Sequence, residues 1–139
     1  MSGPPDPVGL YEPFTRSGDL IFVSAISSAR DGEMITGKVG ADLTLEQGRE
    51  GARRAAANLL AVLTIAAGDE AKIDGILVLR GQVNAAEGFA QVHKVIDAAS
   101  EVIVQRLGDR GRHARTAIGC STLPNNNAVT LEAIGRVGT

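Results

Sequence analysis

Apolar and polar positions change period several times along the chain, and each change marks an element. Residues 20–25 (LIFVSA) form an unbroken apolar run after the turn residues Ser17-Gly18-Asp19, which predicts a strand. Asp31-Gly32 is a hairpin dipeptide, because both residues tolerate the positive φ of a tight two-residue turn; residues 34–36 then read as a short return strand. Gly37 and Gly40 punctuate a loop. From Thr44 the period becomes helical: Ala52, Ala56, Leu59, Leu63 and Ala66 recur three or four residues apart. Thr44 and Gln47 have capping-box spacing at the start of this helix, and Gly68 is its natural stop. Gly48 and Gly51 cost helix propensity, so another segment is expected to lie close against the first turns.

Residues 73–83 contain the unbroken apolar run 76–79 (ILVL), followed by Arg80-Gly81-Gln82-Val83; consecutive rather than alternate apolar positions are the pattern of a strand covered on both faces. Asn84 and Glu87 repeat the capping-box spacing, and Phe89, Val92, Ile96, Ala99 and Ile103 form a stripe. A second helix is predicted from there to about Leu107, ended by Gly108. Residues 115–119 and 129–137 are the last strands, separated by Leu123-Pro124 and three asparagines. The order β-β-α-β-α-β-β is that of an α+β sandwich, two helices on one face of a mixed sheet. Nothing in the chain remains to cover the other face of residues 76–79. The sheet of another subunit is expected there, in a closed homo-oligomer. Residues 1–9 read as a flexible, proline-rich arm and residues 10–139 as a single domain.

Composition adds exclusions. A chain of 139 residues fits one domain, and 44% hydrophobic with 22% charged residues is a globular mix. A single cysteine excludes an intramolecular disulfide and a multi-cysteine zinc site; no metal and no cofactor is expected. Lys+Arg number 14 against 16 Asp+Glu, net −2, so no cation surplus exists to neutralise phosphates, which argues against nucleic acid as a partner. No apolar stretch approaches the roughly 18 residues of a membrane span. The acidic, Pro/Gly-rich start lacks the basic and apolar regions of a secretory signal, so no membrane partner and a cytoplasmic location are expected. Aromatics are only 3%, with no Trp; packing by small side chains leaves less apolar area per residue, a second reason to expect an oligomer.

The densest polar cluster is Arg110-Gly111-Arg112-His113-Ala114-Arg115, running into a strand. Arg110 and Arg112 read as a solvated basic loop. Arg115 enters an apolar strand, where its charge must be paired. Two readings stay open for it: a bidentate carboxylate clamp, or a salt bridge between subunits. His93 and His113 are too few for a metal site, and His93 reads as a packed or interface residue. Cys120 has no His/Asp partner nearby in sequence and reads as a small core or rim residue. Glu132 shares a strand side with Thr130 and is a candidate general base, against the alternative of an ion-paired edge charge. Gly37-Lys38-Val39-Gly40 lacks the spacing of a phosphate loop and does not open a helix.

Several stretches together resemble the RidA/YjgF family of enamine/imine deaminases: SGDLIFVS at 17–24, GKVGADL at 37–43, the helix from Thr44 with Glu46-Gln47, Val83-Asn84, residues 113–119 and Leu123-Pro124. The resemblance spans about residues 10–137. It implies a chorismate-mutase-like fold, a homotrimer with ligand clefts between subunits, and hydrolysis of a small enamine or imine acid to a keto acid and ammonia. It places Arg115 as the carboxylate clamp and Tyr11 in the cleft wall, with Gly119 contributing backbone. The sequence departs from the pattern at Ser24-Ala25-Ile26, where Ser-Gly-Gln is usual, and at Ala117, where a cysteine is usual. The water-orienting glutamate of the family falls on Thr130, with Glu132 two positions on. The alternatives are a specialised deaminase of 2-aminomuconate type and a non-catalytic trimer that binds small carboxylates. RNA cleavage, an activity also attached to the family, is disfavoured by the acidic balance, the few aromatics and the lack of a histidine pair.

Overall fold

A computed structural model of the chain describes residues 3–138. Five strands form one mixed sheet: β1 (Phe14–Ser17), β2 (Leu20–Ile26), β3 (Ile73–Asn84), β4 (Ala114–Cys120) and β5 (Val129–Val137), in the order β1-β2-β5-β3-β4. Only β3 and β4 run parallel, joined by the second of two helices, α1 (Leu45–Ala67) and α2 (Val92–Leu107). Both helices pack on one face. Gly135 of β5 faces Leu63 of α1, and Gly81 of β3 and Gly119 of β4 face Ile96 and Val92 of α2. Leu59, Leu60, Leu63, Leu79, Ile96 and Leu131 are fully buried between the layers. This is the predicted α+β sandwich.

Helix α1 begins and ends where its signals lie. The Gln47 amide donates to Thr44 Oγ1 at 3.1 Å, the Thr44 amide donates to Gln47 Oε1 at 2.8 Å, and Gly68 closes the helix at φ 88°. Thr44→Ala removes one half of this box; a loss of about 1 kcal/mol is expected, read by urea denaturation. Gly48 admits the loop at 37–40: a Cβ there would lie 2.8 Å from Val39 Cγ2. Val39 is tied in turn to the end of β3, its amide donating to the Asn84 carbonyl at 2.8 Å.

Two expectations are corrected. Residues 34–36 form no strand. The partner of β2 is β1, which precedes it across the turn at Gly18 (φ 60°), and β5 holds its other edge, so no edge is left for a return strand. Asp31-Gly32 does turn with both φ positive, but closes only the single bridge between Arg30 and Glu33. Helix α2 starts at Val92, not near Asn84. The backbone of Asn84 is committed to strand bonds, its amide donating to the Ala128 carbonyl at 2.8 Å, and Gln91 occupies the N-cap without a side-chain bond. Within one chain β3 is covered on one face only: Asp74, Leu77 and Arg80 are exposed. The open side of the sheet carries Phe22 and Ile118 exposed as well. No helix among the described residues is long and apolar enough to cross a membrane.

Candidate functional site

A bulge shapes the open side of the sheet. Between Val23, paired with Ala133, and Ile26, paired with Leu131, strand β2 places two residues opposite one. The extra residue lets Ser24 and Ala25 face a pocket of about 160 Å³. Residues 5–8, Tyr11 and Pro13 form one wall; Asn125, Asn127 and Thr130 form the other. The entering chain is fastened to β2, because Ser24 Oγ donates to the Glu12 carbonyl at 2.6 Å and the Ser24 amide to that of Pro13 at 3.0 Å. Asp6 is the one carboxylate among the lining residues. Asn127 is buried, donates through Nδ2 to the Pro124 carbonyl at 2.9 Å, and keeps an Oδ1 without a donor.

Thr130 and Glu132 alternate with Leu131 and Ala133 and so lie on the open side of β5. Thr130 lines the pocket; Glu132 does not. Gln82 of β3, opposite Thr130 in the register, links the two. Its Oε1 accepts from Thr130 Oγ1 at 2.9 Å and its Nε2 donates to Glu132 Oε1 at 3.2 Å. The amide can serve both neighbours in only one orientation, so the threonine proton is committed to Gln82 and its oxygen lone pairs are left for the pocket. Glu132 thus acts on the pocket only through Gln82.

Arg115 and Gly119 share a face of β4, and it is the opposite one. A Cβ on Gly119 would meet Val92 of α2 at 3.3 Å. Arg115 Nη1 donates to Asp97 Oδ1 at 2.7 Å and to Ser100 Oγ at 3.2 Å, both on α2. Nη2 makes one long contact, 3.4 Å, to the His93 carbonyl. One chain therefore brings Tyr11 and Thr130 together and sets Arg115 and Gly119 on the other side of the sheet.

Residues 5–134 match the family model described as "YjgF/chorismate mutase-like, putative endoribonuclease". The chain belongs to this family. Protein TCP17 of Trypanosoma cruzi is 32% identical over 130 residues, 92% of this chain and 81% of that protein. The structure of Atu1372 from Agrobacterium tumefaciens, a protein of unknown function, superposes with a TM-score of 0.90 at 38% identity, over 93% of this chain and 83% of its own. The YjgF gene product of E. coli shares the fold, with a TM-score of 0.71 at 22% identity over 96% and 93% of the two chains.

The remaining polar residues of this YjgF-family chain find plainer places. Arg110 stays exposed, as expected of a solvated loop, and donates to the carbonyls of Glu70 and Ile73, tying the short turn after α2 to the start of β3. Arg112 is exposed and pairs with Asp109 at 3.2 Å. The side of α2 bearing His93 is open within one chain, and His93 is exposed there rather than packed. Cys120 is a half-buried free thiol at the end of β4. Lys38 of the GKVG loop is structural: Nζ donates to Asn84 Oδ1 at 3.0 Å and to the Ser121 carbonyl, and Asn84 Nδ2 donates to Asn126 Oδ1 at 3.1 Å. Sequence reasoning missed Gln82, Asp6, Asp97 and Ser100. Gln82 carried a usable signal, since a polar residue beside the apolar run of a strand needs a partner where it is part-buried.

Proposed function

We propose that this chain hydrolyses a small enamine or imine carboxylic acid to a keto acid and ammonia, in a cleft completed by a second subunit of a cytoplasmic homotrimer. The observation that carries this reading is the division of the site. The pocket of Tyr11 and Thr130 and the cation of Arg115 lie on opposite faces of one sheet, so a small acid engages both only if they come from different chains. The exposed Phe22, Leu77 and Ile118 on the open side supply apolar surface for such an assembly.

In the proposed reaction the guanidinium of Arg115 holds the substrate carboxylate. An enamine first tautomerises, moving a proton from nitrogen to the β-carbon. A water donates one hydrogen bond to Thr130 Oγ1, whose own proton is held by Gln82. Asp6 takes the water's other proton as its oxygen attacks the imine carbon. Asp6 returns that proton to the nitrogen, giving a carbinolamine; its hydroxyl proton then passes to the nitrogen as the carbon–nitrogen bond breaks, so the carbonyl forms and ammonia leaves. A threonine hydroxyl is a poor base near neutral pH, so the carboxylate of Asp6 has the stronger claim to the proton. The family description names an endoribonuclease; the net charge of −2 and 3% aromatic content argue against that reading here, since phosphate neutralisation draws on a cation surplus and base stacking on aromatics.

The test is the decay of 2-aminoacrylate, generated in situ by a serine dehydratase and followed by pyruvate and ammonia release. The wild-type chain is expected to accelerate decay over buffer, and Asp6→Asn to lower kcat about 100-fold with KM little changed. A wild-type protein that leaves the decay of this and larger imino acids at the buffer rate overturns the reading.

A further inference from the structure

The network around Arg115 is more specific than an ion pair. His113 Nδ1 lies 2.6 Å from the Gly111 carbonyl, and His113 Nε2 lies 2.9 Å from Ser100 Oγ. A carbonyl oxygen only accepts, so Nδ1 carries a proton and, in the neutral ring, Nε2 is the acceptor. The Ser100 hydroxyl proton must then point to Nε2, which leaves the oxygen lone pairs to accept from Arg115 Nη1 at 3.2 Å. Asp97 Oδ1 takes the other Nη1 hydrogen at 2.7 Å. Both hydrogens of Nη1 are thereby spent on α2.

A guanidinium has two forks that match a carboxylate, one across Nη1 and Nη2 and one across Nε and Nη2. With Nη1 spent, the first is closed. Nε makes no hydrogen bond with the described residues, and Nη2 has only the long contact to the His93 carbonyl. The Arg115 side chain is partly exposed, at 23%. We infer that Ser100 and His113 are positioning residues: with Asp97 they pin Nη1 and so present the Nε/Nη2 fork of Arg115 to a ligand carboxylate. This rests on the proposed role of Arg115 as the clamp. The residues that set the fork touch no ligand. They act through the direction of one hydroxyl proton, set by the tautomer of His113 and ultimately by the Gly111 carbonyl.

The test reads Arg115 directly as well as through binding. In the full-length protein, the Nη1–H signals of Arg115 are followed by nitrogen-15 NMR, and pyruvate, the keto acid of the proposed reaction, is titrated alongside. Ser100→Ala and His113→Phe are expected to speed solvent exchange of those protons and to weaken pyruvate binding about three- to tenfold, less than the more than tenfold cost of losing a charged hydrogen bond to the ligand itself, because neither residue touches it. His113→Gln keeps an acceptor near the Nε2 position and is expected to restore both readouts, which a purely structural role of the ring would not do. Equal protection and affinity in wild type, Ser100→Ala and His113→Phe would overturn the inference, as would a His113→Gln variant no better than His113→Phe. If wild type binds no small carboxylate, the clamp reading of Arg115 falls; the exchange of its Nη1 protons still decides whether Ser100 and His113 position it.

Discussion

Gly81→Ala is expected to destabilise the fold by about 2–3 kcal/mol, although it adds one methyl group to a strand. The added Cβ would stand 2.4 Å from Ile96 Cδ1, 2.6 Å from Cγ1 and 2.9 Å from Cγ2. Ile96 is completely buried, so the isoleucine has no free space to rotate into. Relief requires α2 to move off the sheet, and the Nη1 partners of Arg115 would move with it. The matching control is Gly51→Ala in α1. There the new Cβ would sit 3.6 Å from Ile35 Cγ2 and 3.7 Å from Ala128 Cβ, ordinary contacts. Losing glycine's backbone freedom in a helix is expected to stabilise by roughly 0.5–1 kcal/mol. The same substitution thus carries opposite signs at two buried glycines. Urea denaturation of both variants checks this, and similar effects of both would contradict the packing described for α2.

Arg115→Ala is expected to lower kcat/KM for an enamine acid about 100- to 1000-fold, with the fold intact. The variant loses a bidentate, charge-assisted contact, and each such hydrogen bond contributes about 1.5–3 kcal/mol. The left-over partner, Asp97, has a side chain 47% exposed, so its charge is resolvated and the structural cost stays small. Arg115→Lys is not expected to rescue. A single ammonium cannot bond Asp97 and Ser100 while offering a second, planar pair of donors. Steady-state kinetics on imine hydrolysis, with thermal unfolding as the control, checks both variants. An Arg115→Lys enzyme as active as wild type would reduce Arg115 to a point charge.

Much of this architecture was legible before any coordinates. Strand β5 and helix α1 lie where the apolar pattern and the Thr44 and Gly68 signals put them, because each is written in contiguous residues. The misreadings have one cause, competition for partners that only the fold reveals. Residues 34–36 lost their place because β1, with a single apolar residue at Phe14, took the edge of β2. Asn84 looked like a cap but was needed in β3. The site was legible in its residue types and not in its grouping. Thr130 and Arg115 are only fifteen positions apart in the chain, yet strand parity and the turn at Leu123-Pro124 send them to opposite faces. Asp6 was passed over as part of a loose arm, because no periodicity marks a segment tied at isolated points, such as the Gly3 carbonyl that accepts from Arg30 Nε at 3.0 Å.

The central claim is that two chains share each site. The direct measurement mixes two crippled variants: Arg115→Ala, which keeps the pocket, and Asp6→Asn/Thr130→Val, which keeps the clamp. Each is assayed alone for 2-aminoacrylate hydrolysis, then after co-expression and purification as mixed oligomers. If the clamp of one chain serves the pocket of its neighbour, about a quarter of the sites in a random mixture pair two intact halves. Activity well above either variant alone is the predicted result. Mixed oligomers no more active than the two separate variants would place a complete site in each chain and contradict the account.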